Sequence, residues 1–160
     1  MAVDEVADQL LEQVKQAYTA SGKLSDESLS LLNFIYQGPL LTALELVEKR
    51  SVTRVISPSG RELFQVIGAS GTPYTCFPNL KYCSCPAFHF SDHSSNVCTN
   101  YNQQITAVMS THLLFVSVLC RGDHLMCKHV LAMKLSEILG LTKILHVSND
   151  EITNMIMSVE

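Results

Sequence analysis

The first fifty residues show the hydrophobic spacing of amphipathic helices. Apolar side chains recur at intervals of three and four along the first stretch, which predicts one long helix. This stripe consists of Val3, Val6, Ala7, Leu10, Leu11, Val14, Ala17 and Tyr18. Gly22 ends this helix, a second is predicted from Ser25-Asp26, and a third begins at Pro39. We predict that the three helices pack as core; the alternative is that part of the first stripe docks a partner.

From Ser51 onward the pattern changes to short β-branched and aromatic runs separated by turns. The runs are Val52–Ile56, Leu63–Ile67, Tyr74–Phe77 and Leu80–Tyr82. Because consecutive runs are joined by short turns rich in Gly, Pro and Ser, they predict a small antiparallel β-sheet. The last run leads directly into Cys83.

Helical spacing returns at the end of the chain. A helix is predicted from about His129 to Gly140, and a capping-box pattern that begins at Ser148 opens a short last helix. The sequence therefore predicts an α+β fold: N-terminal helices, the small antiparallel sheet, a metal-bound finger leading into a helix, and a short C-terminal helix. We predict a helical region over 1–50, the finger domain over 51–140 and the C-terminal helix within 141–160.

Composition places the chain among globular proteins. It has 160 residues, of which 47% are hydrophobic and 16% charged. No apolar run reaches the roughly 18 residues of a transmembrane helix, and the first residues lack the features of a secretory signal. Six cysteines in such a chain favour metal ligation in a reducing compartment over a disulfide framework.

Two short motifs carry the candidate chemistry, Cys83-Ser84-Cys85 and Cys127-Lys128-His129. Three sulfurs and one imidazole nitrogen complete a tetrahedral shell for Zn²⁺. Residues i and i+2 share one side of a strand but not of a helix, so Cys127 and His129 must lie in the turn that enters a helix. The alternative is buried thiols and a surface histidine. Cys76 is predicted to be core, and the backup ligands are His89, Cys120 and His124.

The charge distribution leaves two other functions to consider. The net charge is −4, yet the region around the motifs is mildly basic. Candidate nucleic-acid contacts are Arg54, Arg61, Lys81, Lys128 and Lys134. The alternative for these five is a solvated face. An enzyme with Cys127 as nucleophile and His129 as base is disfavoured, because four zinc ligands leave no open position. We expect no enzymatic activity.

The motifs resemble the SWIM-type zinc finger, in which a CxC pair is followed by CxH. The match continues through Ala132, which gives the CxHxxA form of the small SWIM proteins of the Shu complex. Further similarity lies in Ile56–Arg61, Tyr74–Cys76 and Tyr82–Phe88.

This resemblance implies a non-enzymatic zinc-binding subunit that acts in homologous recombination, also in meiosis, in the nucleus. Its partners would be a RecA-like subunit of the Shu complex and a RecA-type recombinase with its paralogues, which assemble on single-stranded DNA. The alternative function is an autonomous zinc-finger nucleic-acid-binding protein.

One stretch departs from the family pattern. Removing residues 92–117 would join Phe90-Ser91 to Val118-Leu119 and restore the short spacer that the family resemblance implies. We hypothesise that these residues are an isoform-specific insertion within the finger. Because both ligand pairs flank it, zinc could still close the site around an extruded loop.

Overall fold

A mixed five-stranded sheet organises the described part of the chain, with strand order β4-β3-β2-β1-β5. The computed structural model describes residues 3–80, 82–91 and 126–159. The strands are β1 (Val52–Ile56), β2 (Glu62–Ile67), β3 (Pro73–Phe77), β4 (Tyr82–Cys83) and β5 (Lys143–His146).

Six helices lie in the described ranges, and two of them begin at serine caps. They are α1 (Val3–Ser21), α2 (Asp26–Tyr36), α3 (Gly38–Glu48), α4 (Pro86–Ser91), α5 (Lys128–Ile138) and α6 (Asn149–Met157). The Ser25 hydroxyl accepts the Ser28 N–H at 3.1 Å and opens α2. Ser148 and Glu151 form the expected capping box at the start of α6. No helix in the described ranges is long and apolar enough to cross a membrane.

The α+β class is confirmed, and the sheet contains one strand more than the sequence predicted. β1 to β4 pair antiparallel, as expected for runs joined by short turns. β5 instead pairs parallel with β1, with Thr53 opposite Lys143 and Ile56 opposite His146. The sheet is therefore mixed rather than wholly antiparallel. All four residues of β5 are exposed, and its sequence lacks the β-branched and aromatic run by which the other strands were predicted.

One face of the sheet carries the main core. Helix α5 packs on this face and on α3, and it also contacts α1. The core runs from the N-terminal helices through the sheet to α5 and includes Leu11, Tyr36, Val47, Phe64 and Leu131. Helices before residue 50 and the sheet after it thus share one hydrophobic core. The predicted division of the chain at residues 50 and 140 stays a prediction.

The stripe of the first helix is largely buried within the chain itself. Ala7, Leu10, Leu11 and Val14 are all buried, as a core helix requires. Val6 is 39% exposed at the margin of that stripe.

The predicted insertion at 92–117 lies outside the described residues, as does Lys81.

The opposite face of the sheet packs against α6. Val55 and Leu63 point to this face because side chains alternate along a strand, and both contact the fully buried Ile152. The Arg61 guanidinium holds the same helix from the β1–β2 turn. It donates to the Asn149 carbonyl and to the Thr153 hydroxyl, each at 2.9 Å.

We expect Ile152→Ala to lower the free energy of unfolding by about 2–4 kcal/mol, because it removes a buried aliphatic side chain and leaves a cavity. Met157→Ala is the matched control, since Met157 lies on the same helix but is 72% exposed. Its effect should stay within about 0.5 kcal/mol. Denaturant unfolding of both zinc-loaded variants measures the two values. Equal destabilisation would contradict the packing of α6 on the sheet.

Candidate metal centre

The structure brings the four predicted ligands into one cluster. The sulfurs of Cys83, Cys85 and Cys127 and a ring nitrogen of His129 all lie within 4.8 Å of one another. Ligand atoms around one zinc ion stand roughly 3.8 Å apart, given a Zn–S distance of about 2.3 Å. The four side chains therefore have the composition and the closeness that a tetrahedral zinc site needs.

The first ligand pair is held by the edge of the sheet. Cys83 ends β4, and its side chain points to the face that carries the main core. Ser84 continues the pairing with β3: its N–H donates to the Thr75 carbonyl, and its hydroxyl accepts the Thr75 N–H, both at 3.0 Å. Cys85 then precedes Pro86, the first residue of α4. The chain thus leaves the sheet and enters a helix directly after Cys85.

The second ligand pair is held by the start of a helix. Cys127 is the N-cap of α5, with extended backbone angles of −71° and 162°. Its sulfur accepts the Val130 N–H at 3.5 Å. His129 lies in the first turn, where its ring faces the sulfurs and is only 2% exposed. The helix begins at Lys128, one residue before the predicted start, so the pair does lie in the turn that enters it.

The environment of His129 fits a metal ligand. Neither ring nitrogen has a hydrogen-bond partner within the described residues, although both are buried. A buried polar nitrogen without a partner is costly, and coordination by one nitrogen removes much of that cost. The Tyr74 ring packs against the imidazole, with 4.3 Å between the ring centroids and 33° between the planes.

The three thiols cannot all ionise without a compensating cation. The pKa of Cys85 is lowered because Cys127 and then Cys83 donate hydrogen bonds to its sulfur. The pKa of Cys127 is raised by its hydrogen bonds to Cys83 and Cys85 and by burial. For Cys83, the hydrogen bond with Cys127 lowers the pKa, but Cys76, Cys85 and burial together raise it. Zinc would replace the shared protons, because only thiolates ligate the metal.

The candidate nucleic-acid contacts do not form one basic surface in the described part of the chain. Arg54 pairs with Glu62 through Nε and Oε2 at 3.0 Å, on the sheet face that α5 covers. Lys134 pairs with Asp8 of α1 at 2.8 Å. Arg61 binds α6 on the opposite face, as described above.

The other residues singled out from the sequence are Lys128, the backup ligands and Cys76. Lys128 is half-buried between the two ligands of α5. Among the backup ligands, Cys120, His124 and the side chain of His89 lie outside the described residues. Cys76 is fully buried, as predicted for a core residue, and it lies opposite Cys83 on the neighbouring strand. That position was not expected, because it depends on the register between β3 and β4.

The chain is similar to curated proteins named Zinc finger SWIM domain-containing protein 7. The mouse protein is 38% identical over 157 residues, which cover 98% of this chain and 86% of the relative. The Danio rerio protein is 38% identical over 151 residues, covering 94% of this chain and 89% of the relative. The Dictyostelium discoideum homolog is 30% identical over 138 residues, covering 86% and 72%.

No protein-family model and no solved structure matches the chain. The names of the relatives and the Cys/Cys/Cys/His cluster agree on zinc as the bound metal.

We expect Cys85→Ala and His129→Ala each to lose zinc and to destabilise the fold. A structural zinc site contributes on the order of 10 kcal/mol or more to folding, which is comparable to the whole stability of a domain. Lys128→Ala is the matched control, because it lies between two ligands and is not one of them. Elemental analysis of the purified chains should give one zinc per wild-type and control chain. Full zinc content in His129→Ala would contradict the ligand set.

Proposed function

Because the chain belongs to the family of zinc finger SWIM domain-containing protein 7, we propose that it is the non-enzymatic, zinc-binding subunit of a Shu-type complex. In this role it supports assembly of a RecA-type recombinase on single-stranded DNA during homologous recombination, including meiosis. It acts in the nucleus and pairs with a RecA-like partner subunit. The zinc site serves this function as a structural element that fixes the surface presented to the partner.

The observation that carries the proposal is the position of the four ligands. They join the end of β4 to the first turn of α5, and α5 packs on the sheet and on α3. Loss of the metal would therefore disturb the start of the helix on which the core is built. A site in this position suits a scaffold for protein binding.

The N-terminal helices supply apolar surface for such a partner. Leu31 of α2 is 45% exposed and Leu41 of α3 is 71% exposed. These side chains project from helices whose other faces are buried in the core. Because α3 also packs on α5, the binding of a partner to these helices would depend on an intact zinc site.

The pairing of basic residues favours this role over autonomous nucleic-acid binding. Arg54, Arg61 and Lys134 each form a hydrogen bond or ion pair within the chain. A binder that neutralises many phosphates needs several cations directed outward along one groove. We therefore propose that single-stranded DNA is reached mainly through the complex. Catalysis is not proposed, since all four candidate zinc positions are filled by side chains.

We expect the tagged wild-type chain, captured from cells of its own organism, to bring down a protein with a RecA-type ATPase sequence. Cys85→Ala should lose that protein by at least about tenfold, because the partner surface depends on the zinc-bound fold. Lys128→Ala retains all four ligands and should capture the partner as the wild type does. Mass spectrometry of the bound fraction measures the yield, and zinc content is determined on the same samples.

Two results would contradict the proposal. Capture of the RecA-type protein by a zinc-free variant would show that partner binding does not depend on the metal centre. Tight binding of the isolated wild-type chain to single-stranded DNA, falling steeply with salt concentration, would favour the autonomous nucleic-acid binder instead.

A further inference from the structure

We infer that Tyr74 is a positioning residue of the metal centre, whose ring holds the imidazole of His129 so that a ring nitrogen faces the three cysteines. Gly68 is the second part of this arrangement, because a residue without a side chain leaves room for the tyrosine ring. The inference concerns how the chain orients one candidate ligand, and it does not rest on the proposed role in recombination.

The contact joins a strand of the sheet to the first turn of α5. Tyr74 lies on β3, and its ring centroid is 4.3 Å from that of His129, with 33° between the planes. This geometry is closer to a stacked pair than to an edge-to-face pair. Tyr74 is half-buried and packs against the main core. The imidazole therefore has one face against a side chain that is itself anchored in the sheet.

The ring of His129 lacks the contact that most often orients a metal-bound imidazole. That contact is a hydrogen bond from the second ring nitrogen to a carboxylate, a carbonyl or water. Within the described ranges, neither nitrogen of His129 has such a partner. The helix places the residue beside the sulfurs, but rotation about its side-chain bonds could still turn the coordinating nitrogen away from them. Packing against the Tyr74 ring limits that rotation.

The register of the sheet places Gly68 beside the tyrosine. Val66 of β2 lies directly opposite Tyr74 of β3, and Gly68 follows two residues later on the same face. The Gly68 N–H donates to the Thr72 carbonyl at 2.8 Å, which continues the pairing of the two strands. Gly68 is thus a diagonal cross-strand neighbour of Tyr74, at a distance that an aromatic ring can span.

The tyrosine ring uses the space that Gly68 leaves. A Cβ at position 68 would lie 2.9 Å from Cε2 of Tyr74, well inside the roughly 3.5–4.0 Å at which carbon atoms pack. The φ angle of Gly68 is not positive, so the backbone alone would accept an alanine here. Alanine would therefore displace the Tyr74 ring, and with it the surface against which His129 packs.

The first test compares Tyr74→Leu, which removes the ring, with Tyr74→Phe, which keeps it. Zinc affinity is measured by competition with a chelator. The His129 ring-proton signals are recorded by NMR after loading with Co²⁺, because their shifts depend on where the imidazole lies relative to the ion. Tyr74→Leu should move these signals and bind zinc about two- to tenfold more weakly, as expected for loss of one aromatic pair. Tyr74→Phe should match the wild type in both measurements.

Gly68→Ala tests the second part of the arrangement and supplies a readout if Tyr74→Leu does not fold. In the wild-type background it should weaken zinc binding and move the His129 signals, because the added Cβ displaces the Tyr74 ring. In the Tyr74→Leu background the same change should not move the signals further, since the ring that it would displace is gone.

Val52→Ala controls for a general loss of core packing, because Val52 is fully buried in the same core but lies on β1, two strands away from β3. It should lower the free energy of unfolding and leave the His129 signals unchanged. Wild-type signals in folded Tyr74→Leu or Gly68→Ala would overturn the assignment. So would an equal shift of the signals in Tyr74→Phe and Tyr74→Leu, because the shift would then not follow the aromatic ring.

Discussion

The structure depends on closing four ligands that come from two distant parts of the chain. Cys83 and Cys85 leave the sheet edge, whereas Cys127 and His129 enter α5. Three thiols this close cannot all carry negative charge unless a cation lies among them. The contribution of a structural zinc, about 10 kcal/mol or more, is as large as the net stability of a typical domain. We therefore expect metal binding and folding to be coupled in this chain.

Helix α5 connects the ligand cluster to the rest of the core. It is buried on most of its surface, including Val130, Leu131, Met133 and Leu135, because it lies between the sheet and the N-terminal helices. A helix surrounded in this way cannot shift at its first turn without disturbing packing along its length. Helix α3, which carries the exposed Leu41, packs directly on α5, and α2 packs on α3.

Sequence reasoning succeeded where local physics determines the outcome. Short β-branched and aromatic runs between turns located β1 to β3, and caps at Ser25 and Ser148 located the starts of two helices. It failed for β5, which is exposed and exists because β1 offers an unpaired edge. The short α4 was missed too, since the six residues Pro86–Ser91 are too few to show a helical period. Both failures concern elements whose structure is set by their neighbours in space.

Side-chain contacts between elements that are distant in sequence could not be predicted either. The four members of the Cys/Cys/Cys/His cluster could be named from spacing alone, because each pair is local in sequence and the chemistry of the set is distinctive. The partners of Arg54 and Lys134 could not, since each salt bridge depends on how elements pack. Cys76 is a clear example: its burial could be predicted from its position in a strand, but its place opposite Cys83 depends on the register of two strands.

The metal centre is assembled from two halves that are each ordered by their own local interactions. The Thr75–Ser84 hydrogen bonds hold the first half, and the N-cap at Cys127 holds the second. Zinc would then join the two halves. The length of chain between them therefore affects the free energy of closing the site mainly through the entropy of loop closure. That cost rises by only about 0.6 kcal/mol for each doubling of loop length. A spacer from Pro86 to Met126 is therefore compatible with a closed site, provided that both halves remain intact.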